Sequence, residues 1–264
     1  MTAYALPTPR LVSADVLKLR RNRSLAAVTA VLTVGAVAIT VAIMELLHVA
    51  NPAKHGPAGG VANLGHVAFL VAALGTAAAA IVGSRAGAGD KDAGVYRDLV
   101  VTGRSRVSLF LSRIPAGLAF LVPFVAAAYA VEAVSAVVFT GAKPAPDTRL
   151  LVLTGLWTVL EVAFFYLLSV AVAALLGSRS YAIGVVLAFR LAVTPIVASI
   201  SALGIVRELM PGVALQALTP SALGDAARQG PAIPMSTAAV AAVLLAWAVA
   251  ALALAGWRDV TRDA

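Results

Sequence analysis

The sequence predicts an all-α integral membrane protein with six transmembrane helices. Three observations predict it. Apolar residues make up 61 % of the 264 residues and charged residues only 12 %, whereas a water-soluble domain carries roughly a quarter charged residues. The mean hydropathy is +0.95. The apolar residues gather into six long runs without the alternation of a membrane barrel strand, and a spanning backbone that must satisfy its own hydrogen bonds is then helical. The six runs read as a single transmembrane domain over residues 1–264.

Residues 9–24 come first. Val12, Val16 and Leu19 fall on one face, and Lys18, Arg20, Arg21 and Arg23 crowd the end. Ser13 can cap a helix here, with Asp15 in its first turn. This pattern predicts an amphipathic helix lying in the interface; the plainer alternative is a basic flank that only sets topology. The first span is 25–47, longer than the 7–15 apolar residues of a signal core, so it reads as a retained span.

The second span is 64–82. Residues 83–106 form a segment between spans, in which Gly83, Gly87 and Gly89 are expected to loosen the backbone. Asp90 or Asp92 can then start a short helix, with Val95 and Leu99 on one face and Arg97 and Asp98 exposed. Thr102 to Arg106 stops and restarts the chain. The third span is 107–138, and Pro115 and Pro123 predict that its start either bends or lies in the interface. The fourth is 150–176, and the tight turn Gly177 to Ser180 makes the fifth, 181–206 with Pro195 inside, its antiparallel neighbour. Residues 207–234 are apolar but divided by Pro211, Pro220, Pro231 and Pro234, which predicts short helices at the opposite interface. The sixth span is 236–257.

Lys and Arg fix the expected orientation. Arg10, Lys18, Arg20, Arg21 and Arg23, the run from Arg85 to Arg113, then Arg179, Arg258 and Arg262 fall on one side. Lys54, Lys143, Arg149, Arg207 and Arg228 fall on the other. The richer side is read as cytoplasmic, with both termini on it, in the plasma membrane. The net charge of +8 therefore reads as topology determinants and lipid-headgroup contacts rather than a nucleic-acid footprint.

Catalytic signatures are absent from the sequence. There is no phosphate-gripping G-x-x-x-x-G-K-[ST] loop, no H-E-x-x-H and no G-x-S-x-G. With no cysteine there is no thiolate metal site. His48, His55 and His66 read as interfacial anchors, with Glu45 as the one nearby acidic candidate. Glu45 and Glu132, close to the outer ends of their spans, could line an outer vestibule, but the ordinary reading is an interfacial carboxylate. Glu161 and Arg190 differ, because each lies near the middle of a span. At 1.5 Å per residue they stand roughly 22 Å and 15 Å from the turn that joins their spans, a gap that an arginine side chain covers. We expect an ion pair, either a clasp between two helices or a charge in a translocation path.

Four stretches together resemble the permease subunits of ABC transporters of the type-2 exporter family. They are the basic amphipathic start Asp15 to Ser24; the segment Asp92-Ala-Gly94-Val-Tyr96-Arg97-Asp98-Leu99 with Thr102-Gly-Arg104-Ser-Arg106 following; the region 207–234; and the ending Trp257-Arg258-Asp259. The resemblance covers essentially the whole chain, although Asp92 stands where the family often has Glu. It implies an N-terminal amphipathic interfacial helix, a cytoplasmic coupling helix and short outer helices between spans five and six. It also implies that Asp92, Gly94, Tyr96, Arg97, Asp98, Leu99, Arg104 and Arg106 meet a separate ABC ATPase subunit. Two permease copies, identical or related, would pair. ATP and Mg would bind the partner, with no cofactor on this chain, which is then not itself an enzyme. The alternative class is a six-span intramembrane enzyme or a membrane anchor.

Overall fold

The computed structural model describes residues 7–101, 105–228 and 230–261. Every regular element among them is helical. In chain order they are α1 (Pro9–Arg21), α2 (Arg23–Ala50), α3 (Val61–Asp92), α4 (Tyr96–Val101), α5 (Arg106–Val138), α6 (Thr148–Leu176), α7 (Arg179–Ser199), α8 (Pro211–Ala217) and α9 (Thr237–Thr261). Two short 3-10 stretches, Ser201–Leu209 and Ser221–Ala227, flank α8. Six of these helices (α2, α3, α5, α6, α7 and α9) are long and apolar enough to cross a membrane.

At the centre α3 and α6 run parallel. Some 67 % and 61 % of their most apolar stretches lie inside the protein, against 11 % for α9. The pair comes close because α3 lacks side chains where it meets α6. Gly75 faces Val162, Gly83 faces Tyr166 and Ser169, and Gly87 faces Val170 and Ala173. A Cβ on Gly83 would sit 2.8 Å from the Tyr166 carbonyl oxygen. The close approach also lets Ser169 Oγ donate to Ala80 O at 2.8 Å. Small residues bring helices together this way inside a membrane, where apolar side chains gain little over lipid. The glycines therefore do not loosen the chain as expected. The second span's helix continues past Val82 to Asp92, and the next helix starts at Tyr96 rather than at Asp90 or Asp92.

The third long helix, α5, runs antiparallel to α3. Gly59 and Gly60 N–H groups donate to Phe139 O and Ala136 O at 2.8 and 2.9 Å, which pins one end. Gly117 leaves room for the Tyr166 hydroxyl, which donates to Arg113 O at 2.6 Å near the other. Despite Pro115 and Pro123 the helix is unbroken from Arg106 to Val138.

Two lightly buried spans share one device. In α2 the buried residues are Leu25, Thr29, Thr33, Val37 and Val41. In α7 they are Ala182, Val186, Arg190, Thr194 and Ala198. Both stripes advance by four residues at each step, and each helix holds one wide π-helical turn, Val31–Gly35 and Phe189–Val193. A uniform α-helix turns about 100° per residue, so a strict four-residue stripe drifts about 40° per step around it. The wide turn takes back part of that drift.

Two further element ends differ from expectation. Thr8, not Ser13, caps α1, accepting from the Leu11 N–H, while Ser13 Oγ donates to Arg10 O. The fifth span ends at Ser199 rather than Val206, because Ile200 is extended (ψ 92°) and a 3-10 stretch follows. Beyond it, α8 is inserted into the bundle. Every residue from Pro211 to Gln216 is buried, Gly212 lies against Thr194, and Trp157 Nε1 donates to Leu215 O at 2.9 Å. Trp157 stands about 14 Å down α6 from Thr148, so α8 crosses well below that end of the bundle.

Alanine at Gly83 forces α3 and α6 apart and costs about 1–3 kcal/mol. Alanine at Gly184, where an added Cβ meets nothing within 4 Å, costs nothing and gains up to about 1 kcal/mol of helix propensity. Denaturation midpoints of the two variants in detergent are expected to move in opposite directions.

Candidate functional site

The functional candidates gather at the end of the bundle that carries most Lys and Arg. There the last turn of α3 is charged, with Asp90, Lys91 and Asp92 in sequence. The 32 residues of α3 span about 48 Å at 1.5 Å each, whereas the hydrocarbon core of a bilayer is about 30 Å thick. Three consecutive residues near its tip reach three different directions, since side chains on a helix fan out by about 100° per residue.

Asp90 points at α1 and α5. It is 6 % exposed and holds an ion pair with Lys18 of α1. Its other oxygen accepts from Arg113 Nη2 of α5 at 3.4 Å, while Arg113 Nη1 donates to Gly87 O at 3.0 Å. Beside them Ser112 Oγ donates to Asp15 Oδ2 at 2.6 Å, a second tie between α1 and α5. Lys91 pairs with the buried Asp259 of α9. Asp92 accepts from Arg179 Nε at 2.5 Å, at the first residue of α7. The tip of α3 is thus bound to α1, α5, α7 and α9 through one three-residue run. α1 itself ends at Asn22, whose Oδ1 accepts from Leu25 N–H at 3.0 Å and so starts α2 at once.

The run ends in a left-handed cap. Gly94 has φ +71°. Its N–H donates to Lys91 O at 3.0 Å, and Val95 N–H donates to Asp90 O at 3.1 Å. The carbonyls at the end of α3 are satisfied, and only glycine takes this conformation without a steric cost. The cap turns the chain directly into α4.

Of the other residues expected at a coupling contact, Asp98 is exposed on α4 and Leu99 is half-buried. Arg106 is the first residue of α5 and is half-buried. The side chains of Tyr96 and Arg97, and all of Arg104, lie outside the described residues. All four basic residues at the end of the N-terminal helix, Lys18, Arg20, Arg21 and Arg23, are exposed, and Lys18 reaches Asp90 with its amine. Sequence reasoning placed Arg113 and Asp259 in a flank and a tail, and gave Asp90 no partner. The signal that finds them is the Asp-Lys-Asp run read as part of a continuous helix.

Burial raises the Asp15 carboxyl above the ordinary carboxylate range. The Ser112 hydroxyl and the Lys18 and Arg113 charges oppose that rise, and the Asp90 charge adds to it.

A second charged site lies at depth. Arg190 donates from Nε at 2.8 Å and Nη2 at 2.5 Å, both to Glu161 Oε1. Each residue is 1 % exposed, and the Arg190 guanidinium carbon lies 5.7 Å from the Phe165 ring centroid. Glu161 Oε2 has no hydrogen-bond partner among the described residues. Arg190 falls in the π-turn of α7. Glu132 departs from its expected interfacial place. It is 1 % exposed and neither oxygen has a partner among the described residues. Glu45, by contrast, accepts from the Ala58 N–H at 3.2 Å. Among the described residues no group of three or more His, Cys, Asp or Glu side chains gathers to hold a metal ion.

No family model matches this chain, and no curated protein matches it.

Removing one member of the central pair, as in Arg190→Leu, leaves Glu161 buried without its partner and costs about 3 kcal/mol or more. Exchanging the two charges, Glu161→Arg with Arg190→Glu, is expected to recover most of that loss, read as folded yield and thermal midpoint in detergent. At the basic end, the folded state binds the Asp15 proton more tightly than the unfolded state. Stability therefore falls as pH rises from the ordinary carboxylate range through the raised value, and is flat above it. Asp15→Asn is expected to remove that segment of the pH profile of the thermal midpoint.

Proposed function

We propose that this chain is the membrane-spanning permease subunit of an ATP-driven ABC exporter. It crosses the plasma membrane six times with both termini in the cytoplasm. It pairs with a second permease copy and takes its energy from a separate ATPase subunit that binds ATP and Mg. Residues 9–24 lie in the inner interface as an amphipathic helix, α4 acts as the coupling helix, and Ser201–Ala227 forms the outer gate region.

The observation that carries this reading is the three-way anchoring of the α3 tip by Asp90, Lys91 and Asp92. A force applied at α4 passes through the Gly94 cap into a helix tied at its end to α1, α5, α7 and α9. Displacement at one point then tilts several spans together, as rigid-body rearrangements require. A chain without a phosphate-gripping loop has to receive such a force from a partner. The buried Glu161–Arg190 pair serves as a clasp between α6 and α7 during that motion. The intramembrane-enzyme alternative gains nothing from the charges at depth, since among the described residues no paired nucleophile and base accompany them.

The test is co-expression with an ATPase encoded beside this chain. The two are expected to co-purify, and ATPase activity in vesicles to depend on the permease. Gly94→Val, which strains the left-handed cap, and Arg97→Ala are expected to leave assembly intact and to lower permease-dependent activity about fivefold or more. Transport by this chain alone, or labelling of introduced cysteines at positions 94 and 97 only from outside the cell, would end the proposal.

A further inference from the structure

A cleft of about 360 Å³ opens at the basic end, between the start of α2, the last turns of α3 and the α6–α7 turn. Its rim is polar and positive. Ser24, Arg85, Ser178, Arg179 and Ser180 line it. Asp92 is the acidic residue in the lining, and its Oδ2 is already held by Arg179. Arg85 is half-buried, and no ion pair or hydrogen bond among the described residues engages its guanidinium. The floor, a turn further in, is apolar: Leu25, Val28, Ile81 and Ile183. It continues outward into exposed apolar side chains, Val28 and Val31 on α2 and Val185 on α7.

We propose that this cleft binds an acidic phospholipid of the adjoining leaflet, with the headgroup phosphate on Arg85 and an acyl chain along the α2–α7 face. The proposal needs only that the bundle lies in a bilayer, and it stands whether or not an ATPase drives the protein. The Asp15 and Asp90 carboxylates that share the gap on the other side of Arg85 are held by Ser112, Lys18 and Arg113, so a half-buried guanidinium that makes no direct ion pair marks a place for a further anion. Basic pockets between spanning helices at the membrane surface are suited to acidic headgroups. The Arg fork can grip two phosphate oxygens at once. The division of the lining decides between sources of phosphate. A free phosphate ion gains nothing from Leu25, Val28, Ile81 and Ile183, whereas a diacyl lipid covers them and the apolar strip beyond.

Native mass spectrometry of the full chain in detergent, titrated with dioleoylphosphatidylglycerol, dioleoylphosphatidylcholine or inorganic phosphate, tests it. Phosphatidylglycerol is expected to bind more tightly than phosphatidylcholine and to raise the thermal midpoint. Arg85→Gln is expected to weaken phosphatidylglycerol binding about fivefold, the worth of one cation near a headgroup, with phosphatidylcholine unchanged. Arg85→Lys is expected to keep most of the affinity, and Arg149→Gln, at the far end of the bundle, all of it. Equal binding of the two lipids by the unaltered protein would overturn the proposal without recourse to any variant. So would wild-type phosphatidylglycerol affinity in Arg85→Gln. A thermal shift from inorganic phosphate equal to that from phosphatidylglycerol would make the cleft a free-anion site and overturn the lipid assignment.

Discussion

The approach of α3 to α6 along Gly75, Gly83 and Gly87 sets where the rest of the chain goes. Two helices that meet backbone to side chain over so many turns form a stiff central rib, and dispersion over that length holds them in the absence of a hydrophobic drive. α5 crosses the rib antiparallel, with Gly117 admitting the Tyr166 hydroxyl. The short inserted helix α8 closes one end of the groove by reaching Trp157. The remaining spans lean on this rib and bury far less of themselves.

The polar groups follow from the same geometry. A rib longer than a bilayer is thick must present its tip to water and headgroups, and there the chain spends its charges: Asp90, Lys91 and Asp92 each take a partner from a different helix. At depth the rule is reversed, and Glu161 finds Arg190 because nothing else at that level can compensate it. Under the permease reading these two sets divide the labour. The set at the basic end would gather the helices at the point where force arrives, and the clasp at depth would keep α6 and α7 together while they move. The light burial of α2, α7 and α9 leaves broad apolar faces outside the bundle.

Much of this was legible in the residues. Six apolar runs fixed the number of long helices, because length and apolarity are local properties that tertiary contacts do not revise. The depths of Glu161 and Arg190 could be counted along two helices joined by a short turn. What could not be read were properties of neighbours. Gly83, Gly87 and Gly89 carry the composition of a flexible link, and only the presence of α6 makes Gly83 and Gly87 an interface. Ending the helix at Val82 then hid Asp90 from Arg113 and left Asp259 in a tail. Glu132 looked interfacial by its position in the chain, whereas α5 turns it inward. The insertion of α8 was obscured by its prolines, which stop a span but do not keep a short helix out of a crevice.

The paired wide turns in α2 and α7 give these two helices a reserve of length. Each behaves as a helix carrying an inserted residue that has been absorbed in place. Deleting one residue within 31–35 or 189–193 would restore ordinary winding, with no change in apolarity and no break in the backbone ladder. The half of the helix beyond the deletion would keep nearly its present facing, because the residue removed is the one the wide turn absorbs. In α7 Thr194 and Ala198 would still face the bundle and Gly212 would keep its support, and in α2 Val37 and Val41 would stay inward. The same deletion in a helix without a wide turn would rotate its far half by about 100°. A hydropathy profile would not tell the two cases apart.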